Sequence, residues 1–241
     1  MNNWKHIWDK RQNGLADIDQ TDIKVVFSEL KRIDGFDLEG GLPIESLMRQ
    51  YENTKRYLGL SAGDSVFEVG AGAGANLYLF AKDGFTVGAL DYSENLLSIL
   101  RQVIASDALR ECIAAEARNL PTDLEYDAVF ANSVFAYFVN FDYAENVLTK
   151  MLAKTKRTLG VLDVYDAAKK EACLAYRRAT IPDYDERYKD LPKLFYPQEF
   201  FVAFAKANNL DIRFADNELT DYGNSPFTYH CYLRRKAAGC T

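Results

Sequence analysis

A glycine-rich stretch at residues 68–76, with the sequence Glu-Val-Gly-Ala-Gly-Ala-Gly-Ala-Asn, constrains the fold more than any other feature of the chain. It follows an apolar strand pattern over 65–69 and precedes a helical pattern over about 75–82. Glycines permit a tight turn from strand to helix and leave the main chain open to a ligand. The helix that follows presents unpaired N–H groups at its N-terminus. We therefore expect a strand–loop–helix unit that binds a nucleoside-containing ligand.

The same alternation of strand and helix continues along the chain and predicts an α/β fold. Further strands are predicted at 85–90, 111–115, 126–131, 159–165, 210–214 and 227–233, with helices between most of them. Strands that are separated by helices form parallel crossovers, so helices should cover both faces of one sheet. Turn residues without room for a crossover helix join the last two strands, and we expect the last strand to run antiparallel.

The chain divides into three predicted parts. Residues 1–60 show helical periodicity over 23–33 and 44–57 and are predicted to form an N-terminal helical cap or lid. Residues 61–236 form the main domain, and a tyrosine-rich insertion at about 166–197 is predicted to cap the substrate site. The aromatic residues Trp4, Trp8 and Tyr51 either close over a bound ligand or pack a helix onto the core, and the sequence leaves both readings open.

The composition excludes several classes of protein. The 241 residues carry a formal net charge of −6 and the pI is about 5.1, which argues against a nucleic-acid-binding protein. The four cysteines are scattered and only two histidines are present, so no metal site is expected. The N-terminus does not resemble a signal peptide, and the most apolar stretch, 129–141, is too short to span a bilayer. We expect a cytoplasmic protein that does not bind a membrane.

Two nucleoside cofactors compete for the glycine-rich stretch. Asp91 ends the second predicted strand, where a carboxylate can accept hydrogen bonds from a ribose diol, and its spacing also satisfies a loose dinucleotide-binding fingerprint. Glu68, however, lies just before the first glycine, where an acid repels a pyrophosphate and suits a ligand that carries an ammonium and a sulfonium. The long segment before the first strand and the antiparallel end of the sheet agree with this. We favour S-adenosyl-L-methionine, and an NAD(P)-dependent oxidoreductase is the alternative.

These motifs resemble those of the class I S-adenosylmethionine-dependent methyltransferases of the small-molecule type. Residues 68–74 are similar to the family's first motif, 127–132 to its fourth-strand motif, and 116–121 to its adenine-binding segment, with Glu116 where Asp is usual. The resemblance implies a Rossmann-like, seven-stranded, mostly parallel sheet of order 3-2-1-4-5-7-6 with helices on both faces. It also implies a set of cofactor-binding residues, namely Glu68, Gly70, Ala71, Gly72, Gly74, Asp91, Tyr92, Glu116, Ala117 and Asn132.

The resemblance also implies a small-molecule methyl acceptor. Members of the family that methylate base amines usually carry Asn or Asp followed by Pro-Pro and an aromatic residue after the fourth strand, whereas this chain has Asn-Ser-Val-Phe at 132–135. With the acidic pI, this argues against a nucleic-acid acceptor. We expect transfer of a methyl group to an oxygen or nitrogen of a metabolite.

The residues that would act in such a transfer lie at the carboxyl ends of the strands. Methyl transfer from a sulfonium depends mainly on alignment, and a base matters only where the nucleophile starts protonated. Tyr137, after the fourth strand, and Asp163, near the end of the fifth, are the predicted catalytic residues, and His230 is a weaker candidate. A catalytically silent nucleoside-binding protein is a second alternative. The sequence also leaves the oligomeric state open, a homodimer included.

Overall fold

The computed structural model describes residues 8–36, 42–219 and 221–236. Trp4, one of the aromatic residues considered for a lid, lies outside these ranges. Within them, seven strands form one sheet, and each lies close to its predicted position. They are β1 (Ser65–Val69), β2 (Thr86–Asp91), β3 (Leu109–Ala114), β4 (Tyr126–Asn132), β5 (Thr155–Tyr165), β6 (Leu210–Asp216) and β7 (Thr228–Arg235).

The helices of the same ranges precede these strands or connect them. They are α1 (Ile23–Ile33), α2 (Ile44–Leu58), α3 (Ala75–Lys82), α4 (Glu94–Val103), α5 (Phe141–Ala153), α6 (Lys170–Thr180), α7 (Tyr184–Arg187) and α8 (Gln198–Ala207). Short 3-10 helices are formed by Leu15–Asp17, Ala117–Asn119, Phe135–Tyr137, Ala167–Lys169 and Ser225–Phe227. In the described part of the chain, no helix combines the length and the apolar character that crossing a bilayer requires.

The strand order confirms the predicted topology. The sheet runs β3-β2-β1-β4-β5-β7-β6. β1 pairs in parallel with both β2 and β4, whereas β7 runs antiparallel to β5 and to β6. From β1 the chain adds β2 and β3 on one side, and it then crosses to the other side to form β4 and β5. At such a reversal of strand order a crevice opens between the carboxyl ends of the two central strands, here β1 and β4, and open α/β sheets bind ligands there.

The two N-terminal helices pack against the same core as the sheet. Leu30 of α1 and Leu47 of α2 are almost fully buried and belong to one hydrophobic cluster with Val66 of β1 and Phe80 of α3. Tyr51 of α2 also lies in this cluster, and its hydroxyl donates to Asp83 Oδ2 at 2.7 Å. Tyr51 therefore packs a helix onto the core. The domain boundary at residue 60 and the substrate cap at 166–197 stay predictions.

The fifth strand differs most from its predicted extent. β5 begins at Thr155 rather than at residue 159, because Thr155 already pairs with Tyr126 of β4. The next residues, Lys156 and Arg157, are charged and lie towards solvent, with Arg157 paired to Asp64. An apolar pattern cannot reveal this part of a strand, since main-chain pairing rather than side-chain burial determines it.

Two glycines that flank α3, Gly74 before the helix and Gly84 after it, allow the costs of backbone strain and of steric clash to be separated. Gly74 and Gly84 have similar positive φ angles of 86° and 83°, but an added Cβ meets nothing at Gly84, whereas at Gly74 it lies 2.7 Å from Leu100 Cγ. We expect Gly84→Ala to lower the free energy of unfolding by about 1 kcal/mol through strain alone. Gly74→Ala should cost about 1–3 kcal/mol more through overpacking. Urea denaturation measures both, and equal losses would contradict the packing of α3 against α4.

Candidate functional site

The glycine-rich loop between β1 and α3 has the conformation that its sequence predicts. Gly70, Gly72 and Gly74 all have positive φ, at 74°, 56° and 86°. This region of backbone space suits glycine and strains other residues. The N–H groups of Gly70 and Ala71 both donate to the Leu90 carbonyl, at 2.7 and 3.0 Å. The loop is thereby tied to the end of β2, and it lies at the crevice of the sheet.

Asp91, at the carboxyl end of β2, fixes this loop from the other side. Its Oδ2 accepts the Gly72 N–H at 3.0 Å and its Oδ1 accepts the Ser93 N–H at 2.8 Å. Each carboxylate oxygen keeps further acceptor capacity, so ligand hydroxyl groups can still bind here. The sequence predicts a ribose contact for Asp91, but it did not reveal that the same side chain braces the glycine loop.

Glu68 lies near the end of β1 and is buried beneath the loop, with 2% of its surface exposed. Its Oε1 accepts a hydrogen bond from Asn76 Nδ2 at 2.6 Å, and Oε2 has no hydrogen-bond partner in the described part of the chain. Burial raises the pKa of Glu68 to about 8. A buried carboxylate oxygen without a partner is costly, and it marks a position where a cationic or donor group would be stabilised.

The end of α1 brings two further ionisable side chains to the loop. Asp34, just after α1, accepts the Ala73 N–H at 2.7 Å, and Lys31 Nζ donates to Asn76 Oδ1 at 2.9 Å. Both side chains are desolvated, which raises the pKa of Asp34 to about 7 and lowers that of Lys31. Neither residue was predicted from the sequence. The available signal was Lys31 itself, a cation on the helix face that Phe27 and Leu30 bury.

Three carboxylates therefore surround the glycine loop, accompanied by one buried ammonium. Desolvation raises the pKa of all three. The charges of Asp34 and Asp91 raise the pKa of Glu68 further, and the charge of Lys31 offsets part of the rise at Asp34 and Glu68. Two main-chain N–H groups of the loop are already bonded to these carboxylates. A diphosphate would need those N–H groups and would meet like charge, whereas a positively charged ligand meets opposite charge.

The other predicted cofactor residues lie along the same edge of the sheet. Glu116 follows β3 and pairs with Arg118 at 2.9 Å on the surface, and Ala117 is buried behind it. Tyr92 follows Asp91, and burial raises the pKa of its phenol. Asn132 ends β4 with Oδ1 buried and without a hydrogen-bond partner within the described ranges. Their cofactor contacts stay predictions.

The predicted catalytic residues lie on the β4 and β5 side of the crevice. Asp163 occupies a bulge of β5 with a φ of 54°, and it accepts hydrogen bonds from Ser133 Oγ at 2.7 Å and Asn217 Nδ2 at 3.1 Å. Tyr137 ends a 3-10 helix, and its ring lies edge-on to Trp8 at 6.0 Å. Burial raises the pKa of Tyr137 to about 12, so the phenol is neutral near pH 7.

His230 supports Asp163 from the neighbouring strand. It is buried, and its Nδ1 accepts the main-chain N–H of Asp163 at 3.0 Å. Desolvation lowers the pKa of His230, so the imidazole is neutral near pH 7. The ring therefore holds the β5 bulge in place, which is a structural task that the sequence did not indicate.

The tyrosines of the 166–197 segment and of the adjoining β5 end have different environments. Tyr165, Tyr184 and Tyr188 contact the cations Arg177 and Lys193. In contrast, the Tyr196 hydroxyl donates to the Phe135 carbonyl at 2.8 Å within the core, and Tyr176 packs on Phe227. Some of these tyrosines thus contact cations, and others pack on aromatic or main-chain groups.

A cleft of about 320 Å³ that includes Arg56, Tyr57 and Arg213 lies at the amino-terminal ends of the parallel strands, at the opposite edge from the glycine loop. Among the described residues, no group of His, Cys, Asp and Glu side chains is arranged to hold a metal ion. The chemistry-bearing side chains are therefore concentrated at the carboxyl edge.

The raised pKa of Asp34 makes stability depend on pH. A carboxyl group with a folded pKa of about 7 contributes stability that is present below its unfolded value near 3.8 and is lost as the pH rises through 7. We expect the free energy of unfolding to fall between about pH 5 and pH 8, and Asp34→Asn to reduce this fall, since one pKa unit corresponds to about 1.4 kcal/mol. Chemical denaturation at both pH values measures the slope. The exposed Asp107→Asn is the control, and equal slopes in both variants would contradict burial of the Asp34 charge.

Comparison with known proteins adds family evidence to this geometry. Residues 66–158 match the family model of a methyltransferase domain. A stretch of 77 residues is 35% identical to a demethylmenaquinone methyltransferase from Clavibacter sepedonicus, and it covers 32% of this chain. The matched stretch spans 31% of that curated relative. The similarity therefore concerns the part of the chain that contains the glycine loop and β1 to β4.

Solved structures extend the similarity over almost the whole chain. A magnesium protoporphyrin IX methyltransferase from Synechocystis PCC 6803 with bound S-adenosylhomocysteine superimposes with a TM-score of 0.62 at 16% identity, covering 96% of this chain and 99% of that chain. A plantazolicin methyltransferase in complex with S-adenosylhomocysteine gives a TM-score of 0.59 at 13% identity, covering 98% and 100%. At these identities the likeness establishes a shared fold. With the sheet order, it shows a Rossmann-like fold shared with these methyltransferases, and the match to the methyltransferase-domain model extends over residues 66–158.

Proposed function

We propose that this chain transfers the methyl group of S-adenosyl-L-methionine to an oxygen or nitrogen of a small-molecule metabolite. The observation that carries the proposal is the buried Glu68, which places an unpartnered carboxylate oxygen beneath a glycine loop braced by Asp91. S-adenosylmethionine carries an ammonium and a sulfonium, so its binding would favour the ionised form of the three buried carboxyl groups. A nicotinamide dinucleotide carries a negatively charged diphosphate, whose charge does not complement these carboxyl groups.

The residues at the crevice fit this cofactor. Glu68 and Asp34 provide carboxyl groups whose ionised form a bound cation would stabilise, and Lys31 provides an amine whose protonated form the carboxylate of the methionine moiety would stabilise. Asp91 keeps acceptor capacity for the ribose hydroxyl groups. Glu116 and Ala117 would lie at the adenine, and Asn132 beside the methionine moiety.

The cofactor, when bound, supplies a methyl group on a positively charged sulfur that leaves as a neutral thioether. Transfer would replace the carbon–sulfur bond by a bond from that carbon to the acceptor oxygen or nitrogen, and the acceptor would lose its proton to a base or to solvent. No acid is required on the leaving side, so the main task of this chain is alignment and exclusion of water. The half-buried Tyr137, edge-on to Trp8, would help to exclude water, and Asp163 would orient the Ser133 hydroxyl or receive the acceptor proton.

Two features support a small acceptor. The acidic pI of about 5.1 disfavours a polyanionic nucleic acid. The names of the similar proteins also refer to compounds of this size class, such as demethylmenaquinone and magnesium protoporphyrin IX. The choice between oxygen and nitrogen is part of the proposal and requires an acceptor panel.

The cofactor assignment is tested by binding. Replacing Asp91 by Ala removes the hydrogen bonds that a charged acceptor makes to the ribose, at a cost of about 2–4 kcal/mol in affinity for S-adenosylhomocysteine. Asp91→Asn keeps one acceptor oxygen and should lie between Ala and wild type. Titration calorimetry measures all three proteins, and the exposed Asp107→Ala is the control. Unchanged affinity in Asp91→Ala, or tight binding of NADH without S-adenosylhomocysteine, would reject the assignment.

Turnover is tested separately from binding. Radiolabelled S-adenosylmethionine and a panel of phenols, carboxylic acids and amines should give at least one methylated product. The Tyr137 ring packs on Trp8, and Tyr137→Phe keeps the ring but removes the hydroxyl. This substitution should therefore alter the KM or kcat for the acceptor and leave S-adenosylhomocysteine binding unchanged. Cofactor binding without transfer to any acceptor would instead favour a silent nucleoside-binding protein.

A further inference from the structure

Two cations meet at one phenol oxygen on the acceptor side of the crevice. Lys193 Nζ donates to the Tyr165 hydroxyl oxygen at 2.9 Å, and Arg177 Nη1 donates to the same oxygen at 3.3 Å. Arg177 Nη1 also donates to Asn224 Oδ1 at 3.0 Å. Within residues 8–36, 42–219 and 221–236, neither cation forms an ion pair with a carboxylate. In the described chain, Asp163 acts on Lys193 only from beyond ion-pair distance, so neither cation has a carboxylate in direct contact.

Burial of Arg177 makes the close approach of two cations unfavourable in the absence of a bound anion. Arg177 is 7% exposed, and its Nε is buried with no hydrogen-bond partner among the described residues. Desolvation and the repulsion from Arg177 lower the pKa of Lys193 to about 7. Buried cations are normally paired, and a buried donor without a partner requires an explanation.

Aromatic rings position the two cations but do not replace an anion. The Arg177 guanidinium lies over the rings of Tyr184 and Tyr188, at 5.2 and 5.4 Å from their centroids. The Lys193 ammonium lies 4.5 Å from the Tyr165 ring centroid. Such cation–π contacts stabilise the faces of the cations, whereas in-plane N–H groups such as Arg177 Nε still require an acceptor.

The pair adjoins the proposed site of methyl transfer. The Lys193 ammonium lies 5.4 Å from the centroid of the Tyr137 ring. Tyr165 ends β5, and Tyr137 follows β4, whose neighbour β1 leads into the glycine loop. One aromatic ring, Tyr137, thus stands between the cation pair and the N-terminal residues near the cofactor position.

We propose that the methyl acceptor carries a carboxylate that binds to Arg177 and Lys193, with the Tyr165 hydroxyl as a third contact. This inference rests on the proposed methyl transfer, because it defines the acceptor of that reaction. A planar carboxylate matches the fork of N–H groups on a guanidinium, and the surrounding tyrosine rings suit an aromatic or other planar acid. The carboxylate anchors the acceptor, and the methyl group goes to a different oxygen or nitrogen.

The experiment compares benzoate with benzamide, which have the same ring and differ in charge. Binding is measured by titration in the presence of saturating S-adenosylhomocysteine. Wild-type protein should bind benzoate at least about tenfold more tightly than benzamide. Arg177→Met and Lys193→Met should each remove that preference, and Arg177→Lys should keep part of it, because it keeps the charge but loses the fork. Arg178→Met is the matched control, since Arg178 is the next residue of α6 and is exposed, paired with Asp185.

Each outcome decides the inference. Equal binding of benzoate and benzamide, or a benzoate preference that survives both Met variants, would overturn it. So would tighter binding of inorganic phosphate than of benzoate with the same dependence on Arg177. A tenfold loss of S-adenosylhomocysteine affinity in Arg177→Met or Lys193→Met would assign the cations to the cofactor instead. If Arg177→Met does not fold, Lys193→Met and Arg177→Lys carry the comparison.

The test also separates this inference from the proposed function. If the wild-type protein does not bind S-adenosylhomocysteine, the methyltransferase proposal is rejected. A preference for benzoate over benzamide, measured in the absence of S-adenosylhomocysteine, would then still report an anion site. Conversely, a wild-type protein that binds S-adenosylhomocysteine and shows no benzoate preference keeps its proposed reaction and loses the carboxylate acceptor.

Discussion

Hydrogen bonds from the glycine loop to buried carboxylates are the interaction on which the rest of the site depends. Asp91 holds the Gly72 N–H, and Asp34 holds the Ala73 N–H, so the loop is fixed from two separate elements of the fold. Main-chain N–H groups that face a strand-to-helix turn commonly bind phosphate. Here they are bonded to protein carboxylates, and the charge of the site favours a cationic nucleoside. The choice of cofactor therefore follows from electrostatics more than from the glycine spacing.

The same constraint makes the N-terminal region part of the site. Lys31 and Asp34 reach the loop because α1 packs on α3 through a continuous apolar face that includes Phe27 and Leu30. Asn76 connects the two sides, since its amide donates to Glu68 and accepts from Lys31. Substitutions that loosen the packing of α1 would thus alter the charge balance of the loop as well as stability.

The acceptor side is organised differently. There the bulge of β5 turns Asp163 towards Ser133 and Asn217, and His230 holds the bulge from β7. Next to it, α6 and the segment after α7 contribute Arg177 and Lys193, neither of which forms an ion pair with a carboxylate in the described chain, although the charge of Asp163 acts on Lys193. The crevice therefore combines carboxyl groups around the glycine loop with two basic groups beside the end of β5. A cationic donor and an anionic acceptor would each meet opposite charge in it.

The sequence by itself determined the fold class, the strand order through family resemblance, and the residues of the loop, because these depend on local patterns: alternating apolar runs, glycines at positive φ, and an acid at a strand end. Tertiary structure alone decided the roles of Lys31 and Asp34, the supporting task of His230, and the meeting of Arg177 with Lys193. These residues lie far apart in the chain, and no periodicity encodes which helix packs over which strand end. Burial of charge depends on those long-range contacts, so the electrostatics of the site emerge only when the elements are packed together.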